Sequence, residues 1–313
     1  MSVPTTELTI ERDALIPTWF HIGGRATRLA TPESTGELIA CLALDDEFKV
    51  LGEGANLLVD DAGVSNLVVS MQTDGFRQIE IDTVTGVVRA GAGASLPSLI
   101  NRCVRAGLGG LEVLAGIPAT VGGAAIMNAG GHFGAMSDVV LAVSALDRAG
   151  REHVYERSQI DFDYRQSRLN HLIVTQVIFG LTKADAGEVK ESLNRCMDYK
   201  TKSQPLGEKS AGCVFKNPVL LESITGIAES GERVGAGMLI DRAGCKGMSI
   251  GGATVSDLHA NFITTAPDAR ARQVIELITK VQTKVFETFG VWLERELVIW
   301  TDQSTDLAPG EYL

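Results

Sequence analysis

The chain has 313 residues, 45% of them hydrophobic and 21% charged, with a formal net charge of -11. That length accommodates two or three hydrophobic cores, and the composition excludes a disordered or fibrous chain. The acidic balance argues against a broad nucleic-acid surface, which needs clustered basic residues, yet permits a local basic pocket around one small phosphorylated ligand.

The first residues, MSVPTTELTIERD, lack the basic start and apolar run of a secretory signal and carry no lipidation motif. Cys41, Cys103, Cys196, Cys213 and Cys245 are odd in number, widely spaced and without a CxxC pair. That usage predicts a cytoplasmic protein without a zinc site. Residues 1–71 read as a small α/β unit: a strand ending in a turn at Phe20–Gly24, a helix over Ser34–Leu44 and a short strand at Phe48–Leu51. The next run, GEGANLLVDD, begins like a dinucleotide fingerprint but has Leu57 where the third glycine belongs, and no clear helix opens there.

A second unit, 72–188, is richer in strands. FRQIEI and VVRAGAG around Thr85–Gly86 predict a hairpin, and Leu96–Ala106 has helical spacing ended by Gly107. Val139–Leu146 and Leu172–Leu181 are two further expected strands, with the polar segment FDYRQSRL between them. A third unit, 189–301, opens with a helix over Val189–Lys202 and the basic, turn-rich SQPLGEKSAGCVFKNP. Within it Val274, Leu277, Ile278, Val281, Val285 and Phe289 recur at helical spacing over Asp268–Phe289, with Gly290 as the stop. The strand-like VWLERELVIW closes the fold, and 302–313 form a polar tail.

Between Leu111 and Gly131 lies LEVLAGIPATVGGAAIMNAGG, uncharged from Val113 onward. A membrane helix needs roughly 20 apolar residues, but the glycines and Pro118 interrupt any continuous helical face. The stretch reads as buried loops whose bare amides face a bound group, above all a phosphate. A tightly packed structural loop is the other reading.

Seven segments in this order, FHIGG, GEGANLLV, GLEVLAGIPATVGGAAIMNAG, YRQS, SAGCVFKNP, LIDRAGCKG and LERE, resemble the UDP-N-acetylenolpyruvoylglucosamine reductases from about Thr18 to Trp300. The short separation between Arg165 and Cys213 is similar to the shorter, second type of that family. The resemblance implies an α+β FAD-binding fold of the vanillyl-alcohol oxidase type. In it two α/β subdomains hold FAD and a C-terminal α+β subdomain binds substrate. It also implies NADPH as electron donor, two successive hydride transfers through FAD, and small-molecule partners without nucleic acid, metal or membrane insertion. For FAD it implies Gly52, Gly54, Ala55, Asn56 and Leu57, then Gly116, Ile117, Pro118, Gly122, Gly123, Ala124, Asn128 and Gly130.

By the same resemblance Arg165 is the catalytic arginine, able to meet a carboxylate through two parallel hydrogen bonds. Taken alone, an arginine in this polar setting is more commonly a surface ion-pair member. Glu296 matches the family's C-terminal glutamate, with Glu294 on the same strand face as the competing choice. Cys213 departs from the family, which commonly has serine as the acid that protonates C2 of the substrate. A neutral thiol, with an ordinary pKa of about 8.5, is a stronger acid than a hydroxyl; a structural cysteine is the alternative. Lys216, Asn217, His259 and Asn261 match substrate-subdomain positions, with a structural hydrogen-bonding role equally open for the last two. Lys200, Lys202 and Lys209 are placed to attract a diphosphate, and His132 inherits no role. Another FAD-linked oxidoreductase of the same fold, or a non-catalytic FAD or UDP-sugar binder, remains an alternative.

Overall fold

Ser34 opens the first helix by accepting the Glu37 N–H on its hydroxyl at 3.2 Å, and the helix α1 (Thr35–Leu44) buries Leu38, Cys41 and Leu42. The structure is a computed structural model that describes residues 8–302; the expected tail lies outside them except for Asp302.

The described chain forms two units, each with its own core. The first takes the chain up to Ala14, Ala26–Glu53 and Ser65–Lys200. One four-stranded sheet runs in the order Ile10–Leu15, Arg25–Ala30, Val64–Ser70, Lys49–Leu51, the last two parallel. A five-stranded antiparallel sheet runs Glu152–Glu156, Val140–Leu146, Ile173–Gly180, Val87–Gly91, Ile79–Ile81. Its last pair is the hairpin expected from the sequence. Helices α2 (Leu96–Arg105), α3 (Val121–Ile126) and α4 (Ala186–Ser203) complete this unit up to Lys200. α2 starts on the Ser95 cap with a proline in its first turn, where a missing N–H costs nothing.

The second unit takes Leu15–Arg25, Gly54–Val64 and the chain from Thr201. It contains α5 (Ala236–Arg242), α6 (Ala271–Phe289), a three-stranded antiparallel sheet (Ser249–Ile250, Ala253–Val255, Ile263–Thr265), and Val298–Trp300 paired in parallel with Leu57–Val59. α6 buries Val274, Leu277, Ile278, Val281 and Val285, each such side chain contributing roughly 1.5–3 kcal/mol. Gly290 ends it in the left-handed conformation at φ 70, the C-terminal device a glycine serves without steric cost.

Three expectations differ from the structure. Phe20–Gly24 holds no strand: a turn at Trp19–Phe20 runs into irregular chain, and the strands lie on either side of it. The expected boundaries after residues 71 and 188 both fall inside the first unit, because the chain visits the second unit twice before settling there. Only Val298–Trp300 of VWLERELVIW is regular strand. A bulge interrupts the rest: the Glu296 and Leu297 amides both donate to the Val214 carbonyl, at 2.8 and 3.2 Å.

Candidate active site

In the first unit the glycine-rich stretch does not present a continuous row of bare amides. Val121 donates to the Ala94 carbonyl at 2.9 Å, Gly122 to Ala92 at 2.8 Å, and Gly123 to the Thr120 hydroxyl at 3.3 Å. The first turn of α3 has therefore satisfied its own donors, as a helix start must. Gly122 is instead a packing glycine, since a Cβ there would stand 2.8 Å from that of Ala92. A Cβ at Gly52 would likewise meet the Thr120 hydroxyl at 2.5 Å. Gly130 lies in a short ribbon against Gly134–Ala135, and Ala124 is buried in the core.

Gly123 behaves differently. It is exposed, and an added Cβ would have only the Thr120 hydroxyl, 3.3 Å away, within reach. A helical glycine costs about 1 kcal/mol relative to alanine, and here only the capping Thr120 side chain crowds the position. Gly116, Ile117, Pro118 and Ala119 also retain surface. These positions leave backbone and apolar side-chain surface open, against which a planar group can lie. With the amides of Val121–Gly123 already bonded, the start of α3 fits FAD by this surface.

Arg165 sits at the tip of a tight turn in the same unit. Asp163 and Gln166 exchange backbone hydrogen bonds of 2.9 and 3.3 Å below it. Its own backbone lies at φ 58, a left-handed conformation that few non-glycine residues adopt. The guanidinium carbon stands 5.1 Å from the centre of the Tyr164 ring. Asn128, expected among the FAD residues, is buried and engaged within the protein, with its amide nitrogen donating to the Asp163 carbonyl at 2.9 Å.

The second unit gathers a different set. The GEGAN segment turns at Gly54, φ 65, where a side chain would run into the Pro17 carbonyl. Asn56 then brackets Glu296: its side-chain amide donates to the Glu296 carbonyl at 3.0 Å, and its own carbonyl accepts the Val298 N–H at 3.1 Å. Leu57 pairs with Val298 in the parallel ladder. The Cys213 segment is hydrogen-bonded to both neighbours of the site. Val214 donates to the Asn261 carbonyl at 2.9 Å and accepts from Glu296 at 2.8 Å. The bulge at Glu296–Leu297 re-aims the glutamate relative to a regular ladder, so Cys213 and Glu296 stand on directly bonded segments.

The expected substrate residues have structural partners here. Asn261, buried, accepts the Phe215 N–H at 2.9 Å and donates to the Phe215 carbonyl at 2.8 Å. His259 Nδ1 accepts the Asn261 N–H at 3.2 Å, and burial pushes the His259 pKa below the usual histidine value. Asn217 Oδ1 accepts the Ala236 N–H at 2.9 Å and caps α5 from outside. Lys216 Nζ pairs with Glu294 at 2.7 Å, and Glu294 is the more exposed of the two LERE carboxylates. Sequence reasoning missed the buried Ser167, whose only signal was its place in the YRQS segment. It also assigned Asn56 only to the cofactor.

Residues 26–155 match the family described as FAD binding domain. Residues 204–300 match the one described as UDP-N-acetylenolpyruvoylglucosamine reductase, C-terminal domain. Fold and site together define an FAD-dependent oxidoreductase of the α+β class implied by the motifs. The chain is 40% identical over 288 residues to UDP-N-acetylenolpyruvoylglucosamine reductase of Moorella thermoacetica, covering 90% of this chain and 89% of that one. It is 38% identical to the enzyme of the same name from Syntrophobacter fumaroxidans, over 93% and 83% of the two chains. The crystal structure of the reductase from Thermus caldophilus superposes with a TM-score of 0.79 at 38% identity, covering 94% of this chain and 100% of that chain. The chain belongs to the UDP-N-acetylenolpyruvoylglucosamine reductase family.

Proposed function

We propose that this chain reduces UDP-N-acetylenolpyruvoylglucosamine to UDP-N-acetylmuramate in peptidoglycan precursor synthesis, with FAD as cofactor and NADPH as electron donor. When bound, FAD supplies the two-electron chemistry between NADPH and the enolpyruvyl double bond. Reduction at C3 of that group leaves negative charge on C2 and its carboxylate. Arg165 meets this carboxylate and stabilises the developing charge; its planar fork suits two parallel bonds. Cys213 holds the proton that C2 receives, and Glu296 polarises the carboxylate as partner in that delivery.

The bonded segments carrying Cys213 and Glu296 are the observation that supports this assignment, since the Glu296 amide donates to the Val214 carbonyl at 2.8 Å. Glu294 is the weaker choice because Lys216 already pairs with it. Asn217, His259 and Asn261 serve by holding the Cys213 and α5 segments in place. We read the two sheets of the first unit as the FAD-binding subdomains and the chain from Thr201 as the substrate-binding one. Among the described residues, no helix is long and apolar enough to cross a membrane. We place the reaction in the cytoplasm, where NADPH is supplied, with small molecules as the partners.

The purified protein is expected to be yellow, to release FAD into the supernatant on denaturation, and to consume NADPH beyond the one equivalent that reduces its flavin only when the enolpyruvyl substrate is present. A colourless protein that cannot be reconstituted with FAD, or one that leaves this substrate unreduced, contradicts the proposal.

A further inference from the structure

The turn bearing Arg165 is fastened on both sides to the end of α3, and we infer that Asn128 and Ser167 are the positioning residues that aim its guanidinium. The inference rests on Arg165 meeting the substrate carboxylate. A two-bond contact of that kind depends on orientation, and misplacement by about 1 Å can cost roughly 100-fold in rate. Arg165 nevertheless occupies a left-handed backbone at φ 58. A non-glycine residue there is strained and persists only where its surroundings over-determine it.

Those surroundings are specific. Before the tip, Asn128 donates through Nδ2 to the Asp163 carbonyl at 2.9 Å, while its Oδ1 accepts the Ser137 N–H at 3.0 Å. Both ends of the Asn128 amide are thus engaged, and the residue is 7% exposed. After the tip, Ser167, 1% exposed, donates its hydroxyl to the Ile126 carbonyl at 2.7 Å. Between these anchors Asp163 closes the turn: its carboxylate accepts the Tyr164 N–H at 2.6 Å and the Gln166 side-chain amide at 3.2 Å. Ile126 is the last residue of α3, and Asn128 follows two positions later, itself at φ 41. The same short helix carries the exposed Gly123. One rigid element therefore sets the register between the surface offered to the flavin and the arginine that meets the substrate. In this arrangement Asn128 acts through Arg165.

The test uses Ser167→Ala and Asn128→Gly in the full-length protein. Glycine accommodates the left-handed backbone at 128 and removes the side chain with its amide. The measurements are calorimetric affinity for the product UDP-N-acetylmuramate, whose carboxylate reports Arg165, and substrate-driven flavin reoxidation by stopped flow. Each variant is expected to lose about 10- to 100-fold in both. Neither is expected to lower product affinity further in an Arg165→Ala background, because residues that act through a common group are non-additive.

If Ser167→Ala does not fold, Asn128→Gly reports the same arm, with melting temperature distinguishing the cases. Product affinity at the wild-type level in the folded clamp variants, or losses that add fully to that of Arg165→Ala, overturns the inference while leaving Arg165 in its role. If Arg165→Ala itself changes neither affinity nor reoxidation, the arginine assignment fails and the clamp falls with it.

Discussion

Cys213 is the one partly exposed thiol among five, the other four being buried. Burial pushes Cys41 up to about 11 and Cys103 up to about 12, which suits inert core residues. Nearby, His259 supports the Cys213 segment indirectly. Its Nδ1 must be unprotonated to accept the Asn261 N–H at 3.2 Å, and Asn261 in turn holds Phe215. Burial, with a smaller contribution from the Lys246 charge, lowers the folded pKa of His259 below the ordinary value of about 6.5. The unfolded chain then binds the proton more readily, so stability is fully present above about pH 6.5 and is lost as pH falls toward the folded pKa. Melting temperature measured against pH is expected to fall below about pH 6.5, and to fall less steeply in His259→Gln. Identical pH slopes for the two proteins would contradict this role.

At the level of elements, the largest signals were the long periodic ones. α6 was legible because its apolar residues recur at three and four positions before a glycine stop. α1 was legible from the helical spacing over Ser34–Leu44, and α2 from that over Leu96–Ala106 with Gly107 as its stop. α3 and α5 were not, because six or seven residues hold too few turns to show a period. The bulge at Glu296 was hidden as well, since it depends on the Val214 carbonyl, remote in sequence. The start of α6 is another long-range device. Asp61 accepts the Ala271 and Arg272 amides at 2.9 and 3.1 Å, capping a helix whose own cap residue, Arg270, provides no capping oxygen. Removing a helix cap typically costs about 0.5–2 kcal/mol. Asp61→Ala is therefore expected to lower unfolding free energy by about 1 kcal/mol in chemical denaturation. A variant as stable as the parent would show that the cap is idle.

Over the whole molecule, the motif order carried the family and the residue types of the site. What it did not carry was the discontinuity: Phe20 and Leu58 belong to the core built from the chain's last third, although neither is near it in sequence. Local pattern cannot reveal such a visit, because Leu57–Val59 looks the same whether its partner is the next strand or Val298–Trp300. Nor could pattern reveal that the amides of Val121–Gly123 are already spent on Ala94, Ala92 and Thr120. The assignment of chemistry to Arg165, Cys213 and Glu296 is the central claim, and Cys213 is its most exposed point, being a thiol where the family commonly has a hydroxyl. The direct measurement is a single-turnover experiment in which enzyme first reduced by NADPH is mixed with UDP-N-acetylenolpyruvoylglucosamine, comparing the parent with Cys213→Ala. The account predicts reoxidation slowed by about 10²–10⁴-fold in the variant, largely restored in Cys213→Ser. Reoxidation of Cys213→Ala at the parent rate, with full product yield, would contradict it.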